Sequence, residues 1–136
     1  MTAPRILRTD DLPRHDRGGG ISTVPLVGRG TGSTGFLNGV TILAPGSAVP
    51  RHWHNCDESV LVISGDAVAE IDGIEHDLRA GDVSFIPAGL PHGFSNPSTL
   101  HEARIFWTYA AIDADRTDAA TGLCRPIDAE HRGLGR

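Results

Sequence analysis

The sequence predicts an all-β domain, a sandwich or a barrel, from three observations. Segments that are β-branched or alternate in polarity suggest about nine short strands, with turn residues about every eight to twelve positions between them. Segments with the periodicity of a helix are almost absent. The 136 residues include 17 glycines and 9 prolines, which is typical of short strands joined by turns. This length fits one domain over residues 1–136, with a core at about 36–110, an arm at 1–19 and a tail at 111–136.

The N-terminal third contains three candidate strands and a glycine-rich loop. An edge strand is expected at residues 5–9 and a second strand at 21–27, where Pro25 indicates an edge or a bulge. Residues 28–35 contain the spacing G-x-G-x-x-G, which binds dinucleotides when a strand precedes it and a helix follows. Residues 36–44 alternate like a strand instead, so we interpret 28–35 as a flexible loop.

The remaining strands follow in the central and C-terminal parts. They are expected at residues 49–54, 58–64, 67–71, 74–78, 83–86, 92–95, 102–110 and, after a short helix or loop near 113–120, at 123–127. Asp72-Gly73 predicts a two-residue type I′ hairpin, whereas Asn38-Gly39 is either a hairpin turn or a bulge. Hydrophobicity predicts that one face of the strand at 102–110 points inwards, and this face carries Ala103, Ile105, Trp107 and Tyr109.

Charge and composition exclude several classes of function. The formal net charge of −5 leaves no basic surface for a nucleic acid. No apolar run approaches the roughly 20 residues that span a membrane, and the N-terminus lacks the apolar core of a signal peptide, so a cytoplasmic protein is expected. All twelve basic residues are arginines, which excludes Schiff-base chemistry on a lysine and a lysine-containing phosphate loop.

Three potential metal ligands lie close together in the stretch from Gly46 to Gly65. His52 and His54 are two residues apart, so on an extended strand their side chains leave the same face. A short polar break allows the next strand to bring the carboxylate of Glu58 back to that face. Two imidazoles and a carboxylate suit a divalent transition metal. Cys56 between them could add a thiolate, but a small apolar or incidental residue is the favoured interpretation.

Two glycine-bounded blocks resemble the motifs of the cupin superfamily. The first has Gly46, His52, His54, Glu58 and Gly65 at the family's spacing. The second block follows after a spacer of 15 residues and has Gly81, Pro87, Gly89, His92 and Asn96 at the family's spacing. The resemblance implies a double-stranded β-helix, or jelly-roll, barrel that is commonly a homodimer. It also implies that the metal ligands are His52, His54, Glu58 and His92.

Three imidazoles and one carboxylate would leave one or two positions of the metal open, as catalytic sites do. Fe(II) is the favoured metal, and Mn, Ni, Co, Cu and Zn remain alternatives. The leading hypothesis is an enzyme of the iron(II) dioxygenase or oxidoreductase type that acts on a small molecule. One alternative is a redox-neutral isomerase, cyclase or lyase, and another is a module that binds a small ligand or a metal without turnover.

Residues that contact a substrate are only weakly indicated. The last strong strand supplies three candidates, Arg104, Trp107 and Tyr109, although packing or surface positions are the more common roles for such residues. No residue is marked as a general base. The other histidines, including His76, His101 and His131, are expected on the outer face, in loops or in the tail.

Overall fold

The computed structural model describes residues 2–130, which form two facing antiparallel sheets. Twelve strands occur in this part of the chain: β1 His15–Gly18, β2 Ile21–Pro25, β3 Leu37–Leu43, β4 His52–Trp53, β5 Glu58–Ser64, β6 Asp66–Ile71, β7 Ile74–Arg79, β8 Val83–Ile86, β9 His92–Ser95, β10 Ala103–Tyr109, β11 Asp115–Asp118 and β12 Cys124–Pro126. Three short 3₁₀ helices lie at Thr9–Asp11, Arg29–Thr31 and Asp128–Glu130. None of the helices in residues 2–130 is long and apolar enough to cross a membrane.

Each sheet has six strands. One has the order β1-β2-β3-β10-β5-β8, and the other has the order β12-β11-β4-β9-β6-β7. Strands that are neighbours in the chain often lie in different sheets, as in a jelly roll, and the predicted all-β jelly-roll class is confirmed.

The main core lies between the two sheets. Burial alternates along β10, and the predicted inward residues Ala103, Ile105, Trp107 and Tyr109 are all buried. Phe94 packs against this face from the opposite sheet. A smaller cluster of Val24, Val40 and Ile42 packs with Leu12 of the N-terminal segment and with Phe106, which lies on the other face of β10.

The turn chemistry agrees with the sequence where the signal is strong. Asp72 and Gly73 have φ values of 51° and 84°, as the predicted type I′ turn between β6 and β7 requires. Asn38 and Gly39 form neither a hairpin turn nor a bulge, because β3 pairs with β10 in unbroken register through both residues. The strand β3 follows the loop at 28–35, so the glycine spacing there is not a dinucleotide motif.

Several predicted elements are wrong. Residues 5–9 form no strand; the first strand is β1, in a polar segment expected to be loop. The predicted strand at 49–54 is reduced to β4. The segment expected as a helix or loop near 113–120 contains β11, whose polar residues are ordered by pairing with β4 and β12. Tertiary pairing overrides weak local propensity at both ends of the chain.

Asn96 is the last residue of the second glycine-bounded block, which begins at Gly81. Its side chain links the end of β3 to the loop before β10. Its Nδ2 donates to the carbonyl oxygens of Leu43 at 3.0 Å and His101 at 2.8 Å, and its Oδ1 accepts from the backbone N–H of Ser98 at 2.9 Å. Since Asn96 is only 2% exposed, water cannot readily replace these bonds.

We expect Asn96→Ala to lower the free energy of unfolding by about 2 kcal/mol, because buried backbone groups lose their partner. Urea unfolding followed by circular dichroism would measure the change in midpoint at an unchanged m-value. An unaltered midpoint would contradict a structural role for this amide.

Candidate metal centre

Three histidines and one glutamate converge between the two sheets. His52 of β4 pairs with His92 of β9, His54 follows β4 directly, and Glu58 begins β5 in the opposite sheet. All four residues are at most 5% exposed. One nitrogen of each imidazole lies within 4.8 Å of a nitrogen of the other two, and Glu58 Oε1 is 3.0 Å from His92 Nε2 and 3.4 Å from His54 Nε2. The structure therefore brings together all four residues that the resemblance indicates.

Each imidazole is oriented by a backbone carbonyl. The Nδ1 atoms of His52, His54 and His92 lie 2.6, 2.7 and 2.8 Å from the carbonyl oxygens of Pro50, Asp115 and Leu90. A carbonyl only accepts, so each Nδ1 must carry the proton and donate it. In the neutral imidazole the other nitrogen, Nε2, then presents a lone pair, which is the arrangement found behind metal-bound histidines.

The acceptor atoms at the centre have no hydrogen-bond donor among residues 2–130. His54 Nε2, His92 Nε2 and Glu58 Oε1 are buried and without a hydrogen-bond partner in the described part of the chain. Two lone pairs and a carboxylate oxygen that face one another repel, and burial without a partner is costly. A divalent cation among these atoms would remove both costs, so the donor set fits a metal of the type that binds nitrogen and oxygen ligands.

The protonation states suit the same ligand set. Burial, followed by the positive charge of Arg116, lowers the pKa of His52 to about 2, so this imidazole is neutral at pH 7. Burial acts to raise the pKa of Glu58, whereas a positive charge at Nε2 of His54 and His92, either a proton or a bound cation, lowers it. The carboxylate is therefore ionised at neutral pH.

A cavity of about 430 Å³ opens beside this group, and His52 and Glu58 form part of its wall. Most of its surface is contributed by apolar and aromatic residues: Ile21, Val49, Phe94, Ile105, Trp107 and Tyr109. Polar side chains border it at Thr23, Thr41, Arg17 and Arg116. A small organic molecule of moderate size would fit such a space.

The weakly indicated substrate residues separate into two groups. Trp107 and Tyr109 line the cavity, and the ring of Tyr109 lies 4.5 Å from that of His54 between centroids. Arg104 lies on the other face of β10, is not part of the cavity wall and pairs with Glu102 at 2.8 Å. Its expected role in substrate contact has no support from this position.

The remaining candidates lie away from the centre. His76 and His101 are exposed and are not members of the histidine group, and His131 lies outside the described residues. Cys56 is not in the group either; it is half-buried and packs against the main core. Burial raises the pKa of its thiol.

Sequence reasoning missed the two cavity arginines. Arg17 belongs to β1 and Arg116 to β11, the two strands that were expected to be loop or helix. Both lie in polar segments outside the two motif blocks. The sequence signal for Arg17 and Arg116 is weak: each is one of several arginines in a polar segment without strand or helix periodicity.

Comparisons with known proteins agree with this geometry. The model of the family described as the Cupin domain matches residues 39–109. Protein SchB of Streptomyces halstedii is 31% identical over 103 residues, which cover 75% of each chain. Polyketide synthase CurC of Streptomyces cyaneus is 32% identical over 105 residues, which cover 76% of this chain and 68% of that protein.

Solved structures share the fold at lower identity. The polyketide cyclase RemF from Streptomyces resistomycificus superposes with a TM-score of 0.74 at 18% identity, over 92% of this chain and 86% of that one. Salicylate 1,2-dioxygenase from Pseudoaminobacter salicylatoxidans has a TM-score of 0.62 at 15% identity, over 70% of this chain and 26% of that one. At such identities the likeness shows the fold alone.

Proposed function

The chain belongs to the cupin family, and from this premise we propose that it is a metal-dependent enzyme that catalyses a redox-neutral cyclisation or isomerisation of a conjugated, polyketide-type molecule. One observation carries the proposal. Buried nitrogen and oxygen atoms that have no hydrogen-bond partner among residues 2–130 face one another beside a cavity lined by apolar and aromatic side chains. A homodimeric enzyme in the cytoplasm remains the expectation.

We assign the metal to Nε2 of His52, His54 and His92 and to the carboxylate of Glu58. When bound, a divalent metal supplies Lewis acidity that polarises a carbonyl oxygen of the substrate. The prediction of Fe(II) as the preferred metal stays open to Mn, Ni, Co, Cu and Zn, since all of them accept imidazole and carboxylate ligands.

The residues of the cavity would bind and orient the substrate. Phe94 and Trp107 offer flat apolar surfaces against which a conjugated molecule can lie, and the aliphatic walls exclude water from the reacting carbons. The indole of Trp107 is held in place by a hydrogen bond of 2.8 Å from its Nε1 to Thr41 Oγ1. A fixed wall of this kind favours one folded conformation of a flexible chain, which a cyclisation requires.

Tyr109 is the cavity residue that we assign to proton transfer. Its phenol both donates and accepts hydrogen bonds, and its ring lies against His54, one of the proposed ligands. A proton must leave the carbon next to a polarised carbonyl when an enol forms, and it must be returned later. As the phenolate, Tyr109 would accept this proton and become the phenol, which would later return it, while the imidazoles hold their own protons on backbone carbonyls.

We expect Tyr109→Phe to lower kcat by about 100-fold, because the ring and its packing stay while the exchangeable proton is lost. Metal content and KM should change little. Steady-state kinetics together with metal analysis would test this. A variant with unaltered kcat would remove Tyr109 from the chemistry, and a variant without metal would show that its role is to support the ligands.

The curated relatives favour the redox-neutral hypothesis over the dioxygenase hypothesis. The relative that is 32% identical is a polyketide synthase protein, and a polyketide cyclase shares the fold over most of both chains. The dioxygenase, at 15% identity, shares the fold alone. These similarities support polyketide-type chemistry as the first hypothesis to test.

The deciding experiment measures turnover and oxygen together. Purified protein is analysed for metal, reloaded with Zn(II) or Fe(II), and assayed under strict anaerobiosis with linear and partly cyclised β-polyketones. Turnover without oxygen is the expected result. Oxygen uptake that depends on both iron and substrate would instead establish the dioxygenase, and saturable binding without turnover under any metal would establish a binding module.

A further inference from the structure

A second cavity adjoins the one beside the histidines. Its volume is about 360 Å³, and it is lined by the end of β2, the loop at residues 28–31, the start of β3 and the C-terminal residues Ile127 and Asp128. Among residues 2–130, Trp107 alone belongs to the walls of both cavities. The two spaces therefore meet at the indole of this residue.

The two cavities follow one another along the same strands. On β3, Thr41 lines the first cavity and Leu37 lines the second. Gly39 lies between them on the same face of the strand and pairs with Trp107 of β10. Strand β2 shows the same order, since its first residues border the first cavity and its last residue borders the second. Trp107 thus lies at the boundary in the row of residues that separates the two spaces.

The indole is held across this boundary at two points. A Cβ atom at Gly39 would lie only 2.5 and 2.6 Å from Cζ2 and Cη2 of Trp107, so the six-membered ring covers the backbone where a side chain would otherwise stand. The Nε1 atom donates to Thr41 Oγ1 at 2.8 Å, on the side of the first cavity. Since Trp107 is only 5% exposed, it fills the space between the two cavities.

We propose that Trp107 sets the upper limit on the length of the substrate by separating the first cavity from the second. A ligand beside the histidines can extend along β3 only as far as the indole. A smaller side chain at this position would open a continuous space whose far part is lined by apolar residues such as Leu37 and Ile127. This inference rests on the proposed function of the first cavity and adds a limit on substrate length to it.

The test is a comparison of ligands that differ only in the length of an apolar tail. Protein loaded with Zn(II) is titrated by calorimetry with butyrophenone, hexanophenone and octanophenone. Each methylene group that becomes buried should strengthen binding by about fourfold. In the wild type this gain should end where the tail reaches the indole, whereas in Trp107→Ala it should continue. The ratio of the octanophenone affinity to the butyrophenone affinity should therefore be at least about tenfold higher in Trp107→Ala than in the wild type.

Ile105→Ala is the matched control, because Ile105 is a buried residue on the same face of β10 that borders only the first cavity. This variant should keep the affinity ratio of the wild type. Adding Leu37→Trp to Trp107→Ala fills the second cavity from its own wall and should return the ratio to the wild-type value. A circular dichroism melting curve shows whether each variant is folded. Trp107→Leu, which keeps more of the apolar packing, takes the place of an unfolded Trp107→Ala.

The same affinity ratio in the wild type and in Trp107→Ala would overturn the proposal, as would a failure of Trp107→Ala to bind any of the ketones. A ratio that rises equally in Ile105→Ala, or that stays raised after Leu37→Trp is added, would also overturn it. The outcome is separable from that of the proposed function. A raised ratio in a protein that turns over no polyketone supports the limit on length and contradicts the enzyme. Turnover together with an unaltered ratio supports the enzyme and contradicts the limit on length.

Discussion

Replacing His92 by alanine should strip the protein of its metal and lower turnover by at least about 1,000-fold, because the loss of a Lewis acid is worth several kcal/mol in the transition state. His92 Nε2 lies 3.0 Å from Glu58 Oε1 and has no hydrogen-bond partner among the described residues, so it has no evident task other than ligation. The barrel should remain folded, since strand β9 stays paired with β6 through four residues.

Elemental analysis of the purified variant, activity assays and a circular dichroism melting curve would measure these three effects together. His76→Ala is the matched control: this residue is an exposed histidine of β7 and should keep full metal content and activity. Wild-type metal stoichiometry in His92→Ala would exclude His92 from the ligand set. An unfolded variant would move the test to His92→Gln, which keeps most of the side-chain volume.

Gly65→Ala should destabilise the fold more than Gly81→Ala does, with a loss of about 2–5 kcal/mol in the free energy of unfolding. Gly65 has a φ of 75°, a region that costs other residues about 1–2 kcal/mol. A Cβ atom built there would also lie 2.6 Å from the carbonyl oxygen of Glu102 and 2.9 Å from Ala103 Cα. Because these are backbone atoms, relief requires the strands to separate, which adds about 1–3 kcal/mol.

Gly81→Ala separates the cost of a positive φ from the cost of a close backbone contact. Gly81 also has a positive φ, 96°, but a Cβ atom there would meet nothing within 4 Å. Gly81→Ala should lower the free energy of unfolding only by the cost of a positive φ in a residue with a side chain, about 1–2 kcal/mol. Chemical denaturation of both variants would measure the difference. Equal losses would show that close approach of the backbone at Gly65 contributes nothing.

The sequence predicted those elements whose signals are local. The β-branched run at Glu58–Ser64, the short strands Val83–Ile86 and His92–Ser95, and the Asp72-Gly73 turn lie where their residue types indicate. In each case the neighbouring residues alone favour the observed backbone.

The four converging residues at the centre were also indicated in advance, although by the spacing of two motif blocks and not by propensity. Spacing alone could identify His52 and His54 as side chains of one face. It could not give the carbonyl acceptor that orients His54, because Asp115 is distant in sequence and lies in a segment with no strand pattern.

The same limit explains the cavity arginines. Arg17 and Arg116 reach the cavity only because the polar strands β1 and β11 are held by pairing with β2 and β4. Such pairing is a long-range property, which residue types within a window of sequence do not reveal. The polar part of the cavity wall is therefore visible only in the folded chain.

The anchoring of His54 by Asp115 also sets an order of events during synthesis. All four proposed ligands have been synthesised once His92 is added, yet the acceptor that turns His54 towards its neighbours comes later in the chain. A nascent protein halted after Tyr109 would carry every ligand while lacking that anchor. Firm binding of a metal at the proposed ligands would thus follow the pairing of β11 with β4.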